Sequence, residues 1–243
     1  MEWLRLVRTR RLIAVAGTYL FFGLLGPVTA RYLEQLLTRF GGGVGVDLPD
    51  PVPADGIAQF SSNAQQIGLL VALGVAAGAL ALDGNPAMAA FLRTRVQPVW
   101  RLLVPRYVLA AGLTAGGFTL GAVAAWYQSG VLLGPLPAAG MAAGIGYGWL
   151  YLCFALSVLA TAATIVRSRM VAVIWSVVAL LMLPLVGLLP AVGRWLPSAL
   201  VGTLDELAAG GAPGDYLRAA ATTVVLTAVL LVVAAVRLGR REI

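Results

Sequence analysis

The chain has 243 residues, of which 60% are hydrophobic and only 11% charged. A soluble domain carries about 25% charged residues, so a water-soluble globular fold is excluded and a membrane-embedded one is expected. The formal charge of +7 comes from arginines that sit at the ends of apolar runs and form no face of their own, which argues against a nucleic-acid interface.

Lysine and histidine are both missing. A P-loop needs its Lys, and a Ser-His triad or an imidazole metal site needs its His, so no nucleotide, catalytic or metal site is expected in this chain. The lone Cys153 lies inside an apolar run. It can form no internal disulfide and reads as a small buried apolar residue.

Residues 1–11 read MEWLRLVRTRR. As a short helix they would set Trp3, Leu4, Leu6 and Val7 in the acyl boundary and Arg5, Arg8, Arg10 and Arg11 among headgroups. Residues 12–30 carry no charge, and at about 1.5 Å per residue they span roughly 28 Å, close to a bilayer's hydrocarbon thickness. A cleaved signal ending at Val28-Thr29-Ala30 is the rival reading of this segment, although the apolar run is long for one.

Residues 31–40 read as a short helix leaving the membrane, and 41–56 as a Gly/Pro-rich loop holding Asp47, Asp50 and Asp55. The second span is expected at 64–82, with Gly74 and Gly78 four apart on a face smooth enough for close packing. Residues 83–106 follow as a basic segment with Arg93, Arg95, Arg101 and Arg106. Asp83 or Asn85 would cap a short helix there with Pro86 in its first turn, and Met88, Phe91 and Leu92 would share one side.

Residues 107–165 hold no charge, too long a run for one helix. Breaks at 128–130 and 134–140 divide it into a third span at 107–126 and a fourth at 141–166. The pairs Gly112/Gly116 and Gly117/Gly121, and then Gly140, Gly144 and Gly148, mark close packing. Tyr147 and Tyr151 share a face of the fourth span. The fifth span, 170–189, contains Pro184, a kink site. A loop over 190–218 carries a short amphipathic helix at 198–208, and 219–236 is the sixth span.

The loops alternate in charge. Residues 1–11, 83–106, 167–169 and 237–243 hold thirteen of the seventeen arginines, and the opposite loops hold seven of the ten acids. The positive-inside rule then places both termini and the 83–106 segment in the cytoplasm. The fold class expected is an all-α integral membrane protein of six transmembrane helices with an N-terminal interfacial elbow helix. No Asp, Glu, Lys, Arg or His falls inside any expected span. Proton-coupled carriers and intramembrane enzymes need such groups, so a transporter of this kind would draw its energy from a separate ATPase.

At this point the chain resembles a family, the ABC-2 (type V) class of ABC transporter permease subunits. The matching features begin with the leader MEWLRLVRTRR, the run FFGLLGPVTARYL in the first span, and a Gly/Pro-rich outer loop ending in Ala58-Gln59-Phe60-Ser61-Ser62-Asn63. They continue with a basic segment after span two, the Arg167-Ser168-Arg169 turn, and an outer insertion containing Gly193-Arg194-Trp195-Leu196-Pro197-Ser198-Ala199-Leu200. The likeness covers the whole chain as a pattern of hydropathy and loops. Relatives often carry a Glu-rich stretch with Gly-Thr after span two, where this chain has Asp83-Gly84-Asn85-Pro86-Ala87-Met88.

The resemblance implies a single transmembrane domain in the bacterial inner membrane, with an elbow helix around Trp3, Leu4, Arg5 and Arg8. It implies a coupling helix docked on an ABC ATPase through Asp83, Asn85, Pro86, Met88, Phe91, Leu92, Arg93 and Arg95. It also implies Mg-ATP bound on that partner and a second permease copy or homologue completing the unit. Tyr19, Phe22, Tyr147, Tyr151 and Trp175 are candidate residues of a substrate path. The other readings are a non-transporting assembly or immunity module, and a channel or sodium-coupled carrier.

Overall fold

A computed structural model of the chain describes residues 11–40, 50–80, 100–166, 168–189 and 192–240, without the side chains of 34 and 36–40. The expected elbow residues Trp3, Leu4, Arg5 and Arg8 lie outside the described residues. So do the expected docking residues Asp83, Asn85, Pro86, Met88, Phe91, Leu92, Arg93 and Arg95. All regular structure among the described residues is helical. The main helices are α1 (Arg11–Phe40), α2 (Pro53–Asn63), α3 (Leu69–Leu80), α4 (Trp100–Leu132), α5 (Ala138–Ile165), α6 (Arg169–Gly187), α7 (Thr203–Ala208) and α8 (Leu217–Arg240). Six helical stretches are long and apolar enough to cross a membrane, α2 and α3 together making one continuous span from Pro53 to Leu80. The chain is an all-α, multi-pass integral membrane protein.

Several boundaries differ from the sequence reading. The first span and the expected short helix after it form one helix through Pro27. The second span begins at Pro53, well inside the stretch expected as loop. Pro53 stands at the first helical position, where its missing N–H costs nothing, and the Asp55 carboxylate accepts a hydrogen bond from the Val52 N–H at 2.8 Å. Residues 128–130 do not break the third span, which runs on to Leu132. The break is Gly134, whose φ of +126° suits glycine, followed by Pro135 and Pro137. The helix expected at 198–208 is divided by Gly202, also at positive φ, into a 3₁₀ turn, Pro197–Leu200, and α7.

Helix α5 is the hub, packing against α3, α4, α6, α7 and α8. Lipid tails are as apolar as leucine, so helices in a bilayer associate by close backbone approach and by hydrogen bonds across the interface. Both devices are present. A Cβ on Gly23 would run into the Gly121 carbonyl, and one on Gly121 into the Tyr19 carbonyl, so α1 and α4 touch backbone to backbone. Gly26 lies close to the Phe60 backbone in α2, where a Cβ would stand 2.9 Å from the Phe60 nitrogen. The Tyr107 hydroxyl donates to the Cys153 carbonyl at 2.7 Å, and the Thr161 hydroxyl to the Leu230 carbonyl at 3.1 Å. These fasten α4 and α8 to α5. Cys153 itself is half-buried, less enclosed than its apolar run implied.

Two apolar clusters result. One gathers Leu73, Leu80, Leu103, Phe154 and Leu159 at the α3–α4–α5 junction, and the other gathers Val15, Ile57, Phe60, Phe118 and Met141 around α1, α2, α4 and α5. Not every glycine pair serves packing within the chain. A Cβ on Gly74, Gly112 or Gly116 meets no atom within 4 Å, because these faces turn outward, and Gly78 meets only the Arg11 guanidinium. Expected close packing therefore holds at Gly117, Gly121, Gly140, Gly144 and Gly148 and fails, inside one chain, at Gly74, Gly112 and Gly116.

The contrast is measurable. Gly121→Ala forces α1 and α4 apart, and over-packing of this kind costs about 1–3 kcal/mol. Gly112→Ala adds a methyl to an open face. The first variant should lower the thermal unfolding midpoint of the detergent-purified protein and the second should not. Equal midpoints would refute the α1–α4 contact.

Candidate functional site: a polar cavity beneath α7

The polar residues at the start of the second span do not all face outward. Gln59, Ser62 and Gln66 are exposed, while Ser61 is buried and Gln65 half-buried. The turn between α2 and α3, Ala64–Gly68, is a π-helix, a wide turn that often marks functional positions. The Gln65 amide nitrogen reaches the Ser61 hydroxyl at 3.4 Å, bringing two polar groups to one side of the helix.

That side faces Tyr19 of α1. Tyr19 is fully buried, its ring lying against Gly68, where a Cβ would stand 2.6 Å from the ring. It meets Phe118 edge-on, with centroids 5.8 Å apart. Its hydroxyl has no hydrogen-bond partner among the described residues. A buried hydroxyl left unpaired costs about 1–3 kcal/mol, and Tyr19 lines a cavity. Tyr151 of α5 lines the same space, together with Ser61, Gln65 and Thr203, and its empty volume counted out to the mouth is about 380 Å³.

The short helix α7 forms the lid. Gly140 and Gly144 let it settle onto α5: a Cβ on Gly140 would strike the Leu207 carbonyl, and one on Gly144 would stand 2.8 Å from the Leu204 backbone. Leu204 and Leu207 are buried there. Asp205, between them, has one carboxylate oxygen buried without a partner among the described residues. Burial pushes its carboxyl above the ordinary carboxylate range, while hydrogen bonds from its own backbone N–H and from the Ser61 hydroxyl pull the other way. The lid is strapped further along. The Tyr147 hydroxyl donates to the Pro213 carbonyl at 2.7 Å, its ring lies 5.8 Å from that of Tyr216, and the Tyr216 hydroxyl bonds Glu206.

Of the expected path residues, Tyr19 and Tyr151 come together in the cavity. Phe22 packs against the adjoining apolar cluster, and Tyr147 holds the lid strap. Trp175 lies elsewhere, 61% exposed on the outer face of α6. Sequence reading missed Ser61, Gln65, Thr203 and Asp205 as parts of one site. The signal was present for the first two, since Gln59-Phe60-Ser61-Ser62-Asn63-Ala64-Gln65-Gln66 is too polar for a lipid-facing stretch. Among the described residues no cluster of His, Cys, Asp and Glu could hold a metal ion. Chemically the cavity sets the hydroxyl and amide groups of Tyr19, Tyr151, Ser61, Thr203 and Gln65 among apolar side chains such as Leu69, Phe118, Leu152 and Leu204, with the Asp205 carboxyl next to it on the lid.

Compared with protein-family models, curated proteins and solved structures, the chain matches none of them.

Asp205 gives a pH signature. A carboxyl with a raised folded-state pKa favours folding at pH values below its unfolded pKa, and that contribution is lost as pH rises through the folded value. Asp205→Asn should therefore raise the unfolding midpoint at pH 7, and the gain should vanish below about pH 4, where the wild-type carboxyl is protonated in both states. A gain that persists at pH 3.5, or none at pH 7, would contradict the buried carboxyl. Tyr19→Phe removes an unpaired hydroxyl and should leave the midpoint equal or higher.

Proposed function

We propose that the chain is the membrane-spanning permease subunit of an ATP-driven ABC exporter moving a hydrophobic or amphipathic substrate. The observation that carries this reading is the placement of charge. The arginines and acids of the long described helices lie within two turns of their ends, at Arg11, Asp55, Arg101, Arg106, Arg169, Arg218, Arg237 and Arg240, or on the extension of α1 at Arg31, Glu34 and Arg39, and Asp205 and Glu206 lie on the short helix α7. The span interiors hold none. A carrier driven by protons keeps ionisable groups at membrane depth, so energy here would enter from a partner.

In this proposal both termini and residues 83–106 face the cytoplasm, following the arginine distribution. Residues 83–95 dock the ATPase, which binds Mg-ATP, and the elbow at Trp3, Leu4, Arg5 and Arg8 lies on the inner membrane face. A second permease copy or homologue sits against the outward-turned glycines at 74, 112 and 116, where a smooth surface suits helix association. ATP-driven closure of the ATPase pair would shift the spans between two packings, giving alternating access. The polar cavity beneath α7 supplies a place where the span 53–80 can rearrange, because the π turn already lacks regular helical bonding.

Two experiments test this reading. The tagged protein, purified in mild detergent from its native host, should carry a P-loop ATPase at equimolar ratio by mass spectrometry. Phe91→Asp should then abolish stimulation of that ATPase in proteoliposomes. Flux of a compound with no partner chain present would overturn the proposal in favour of a channel or sodium-coupled carrier. An intact, folded chain with neither partner nor flux would favour an assembly or immunity module.

A further inference from the structure

A second polar feature lies away from the cavity, at the rim where α6 ends and α8 begins. The chain leaves α6 through exposed Leu188 and Leu189 and makes a 3₁₀ turn, Gly193–Trp195. This turn is held in place twice. Gly193 abuts the Gly187 carbonyl so closely that a Cβ would not fit, and the Thr222 hydroxyl of α8 donates to the Trp195 carbonyl. A second 3₁₀ turn, Pro213–Tyr216, leads into α8.

Between the two turns is an open groove of about 1080 Å³, counted out to solvent, lined by Arg194, Asp215, Tyr216 and Arg218. The Arg218 guanidinium lies 5.6 Å from the centroid of the Trp195 ring, a cation–π contact that fixes the side chain without neutralising it. Neither arginine, nor Asp215, forms an ion pair with another described residue. Three charged groups thus share one groove and leave one another unpaired, two positive and one negative. Leu217 and Trp195 adjoin the groove residues Tyr216 and Arg194 in the chain, the Leu189 carbonyl accepts the Gly193 N–H at 3.0 Å, and these side chains and that of Leu188 are all exposed, Trp195 to 48%. An exposed tryptophan at a span end is the usual mark of the headgroup level.

We propose that this groove binds the headgroup of a bilayer phospholipid that carries a phosphodiester and a primary ammonium. Arg194 and Arg218 take the phosphate oxygens, to which guanidinium N–H groups donate in fork geometry. Asp215 accepts from the ammonium. The acyl chains lie along Leu188, Leu189 and Leu217. An anionic headgroup without an amine would satisfy the arginines and leave Asp215 facing like charge. A phosphate free in solution would have no use for the apolar border. The proposal does not rest on the transport reading.

The full-length protein in nanodiscs of phosphatidylcholine, doped equally with phosphatidylethanolamine and phosphatidylglycerol, provides the test. Lipids retained through purification are counted by native mass spectrometry. Phosphatidylethanolamine should be enriched over both other lipids, and Arg194→Gln with Arg218→Gln should reduce its retention about tenfold, the scale of one charged hydrogen-bonded contact. Asp215→Asn should shift the preference toward phosphatidylglycerol. These residues line no part of the cavity beneath α7, so an unchanged unfolding midpoint separates lost binding from lost folding. Equal retention of the three lipids by wild type, unchanged retention by the double variant at an unchanged midpoint, or displacement by millimolar inorganic phosphate would each overturn the proposal. A double variant that fails to fold leaves the Asp215→Asn preference shift as the deciding result, and no shift there overturns the proposal too.

Discussion

The backbone contact between α1 and α4 at Gly23 and Gly121 is the constraint on which the rest of the structure depends. In a soluble protein an apolar face is driven onto its neighbour by water. Inside a bilayer that drive is missing, and two helices stay together because their atoms interlock more closely than lipid can. Removing both side chains from the crossing brings the carbonyls of one helix onto the other. That approach fixes the height of Tyr19, places its ring across Gly68, and so decides where α3 must begin. The second apolar cluster, with Phe60 and Phe118 at its centre, fills the angle that the crossing leaves.

The polar cavity is the exception to this economy of apolar contact. It interrupts an otherwise uncharged, tightly packed interior with an unpaired phenol, a serine, a glutamine and a threonine. Beside the π turn, Ser61 and Gln65 line the cavity with Tyr19 of α1, while Gln59, Ser62 and Gln66 are exposed. The lid α7 then covers it, seated on Gly140 and Gly144 of α5 and anchored by buried Leu204 and Leu207.

The architecture was legible in the sequence because its signals are local. Charge-free runs bounded by arginine define spans, and Gly134 with two prolines defines a break. Legibility failed where the determinant is a partner distant in the chain. Gly74 and Gly112 look like packing glycines by spacing alone, yet nothing in this chain approaches them, whereas Gly140 and Gly144 serve α7 and not another long span. The extension of the second span back to Pro53 was hidden because Pro and Asp read as loop formers, although Pro at a helix start and Asp two positions on make an N-terminus. Asp205 was unreadable as part of a site, since only the fold brings it beside Ser61, far away in sequence.

The position of α7 late in the chain has a consequence for biogenesis. Chains are made from the N-terminus, and earlier segments settle before later ones exist. Tyr19, Ser61 and Gln65 reach the membrane while the residues that will roof them, from Gly202 to Ala208, are still being synthesised. For that interval the incipient cavity is an open polar notch on a half-built protein, and the bare Gly140 and Gly144 surface of α5 is its unfilled socket. Arrival of α7 is then the closing step of assembly, and a chain truncated before residue 202 would present quality-control proteases with a ready mark of incompleteness.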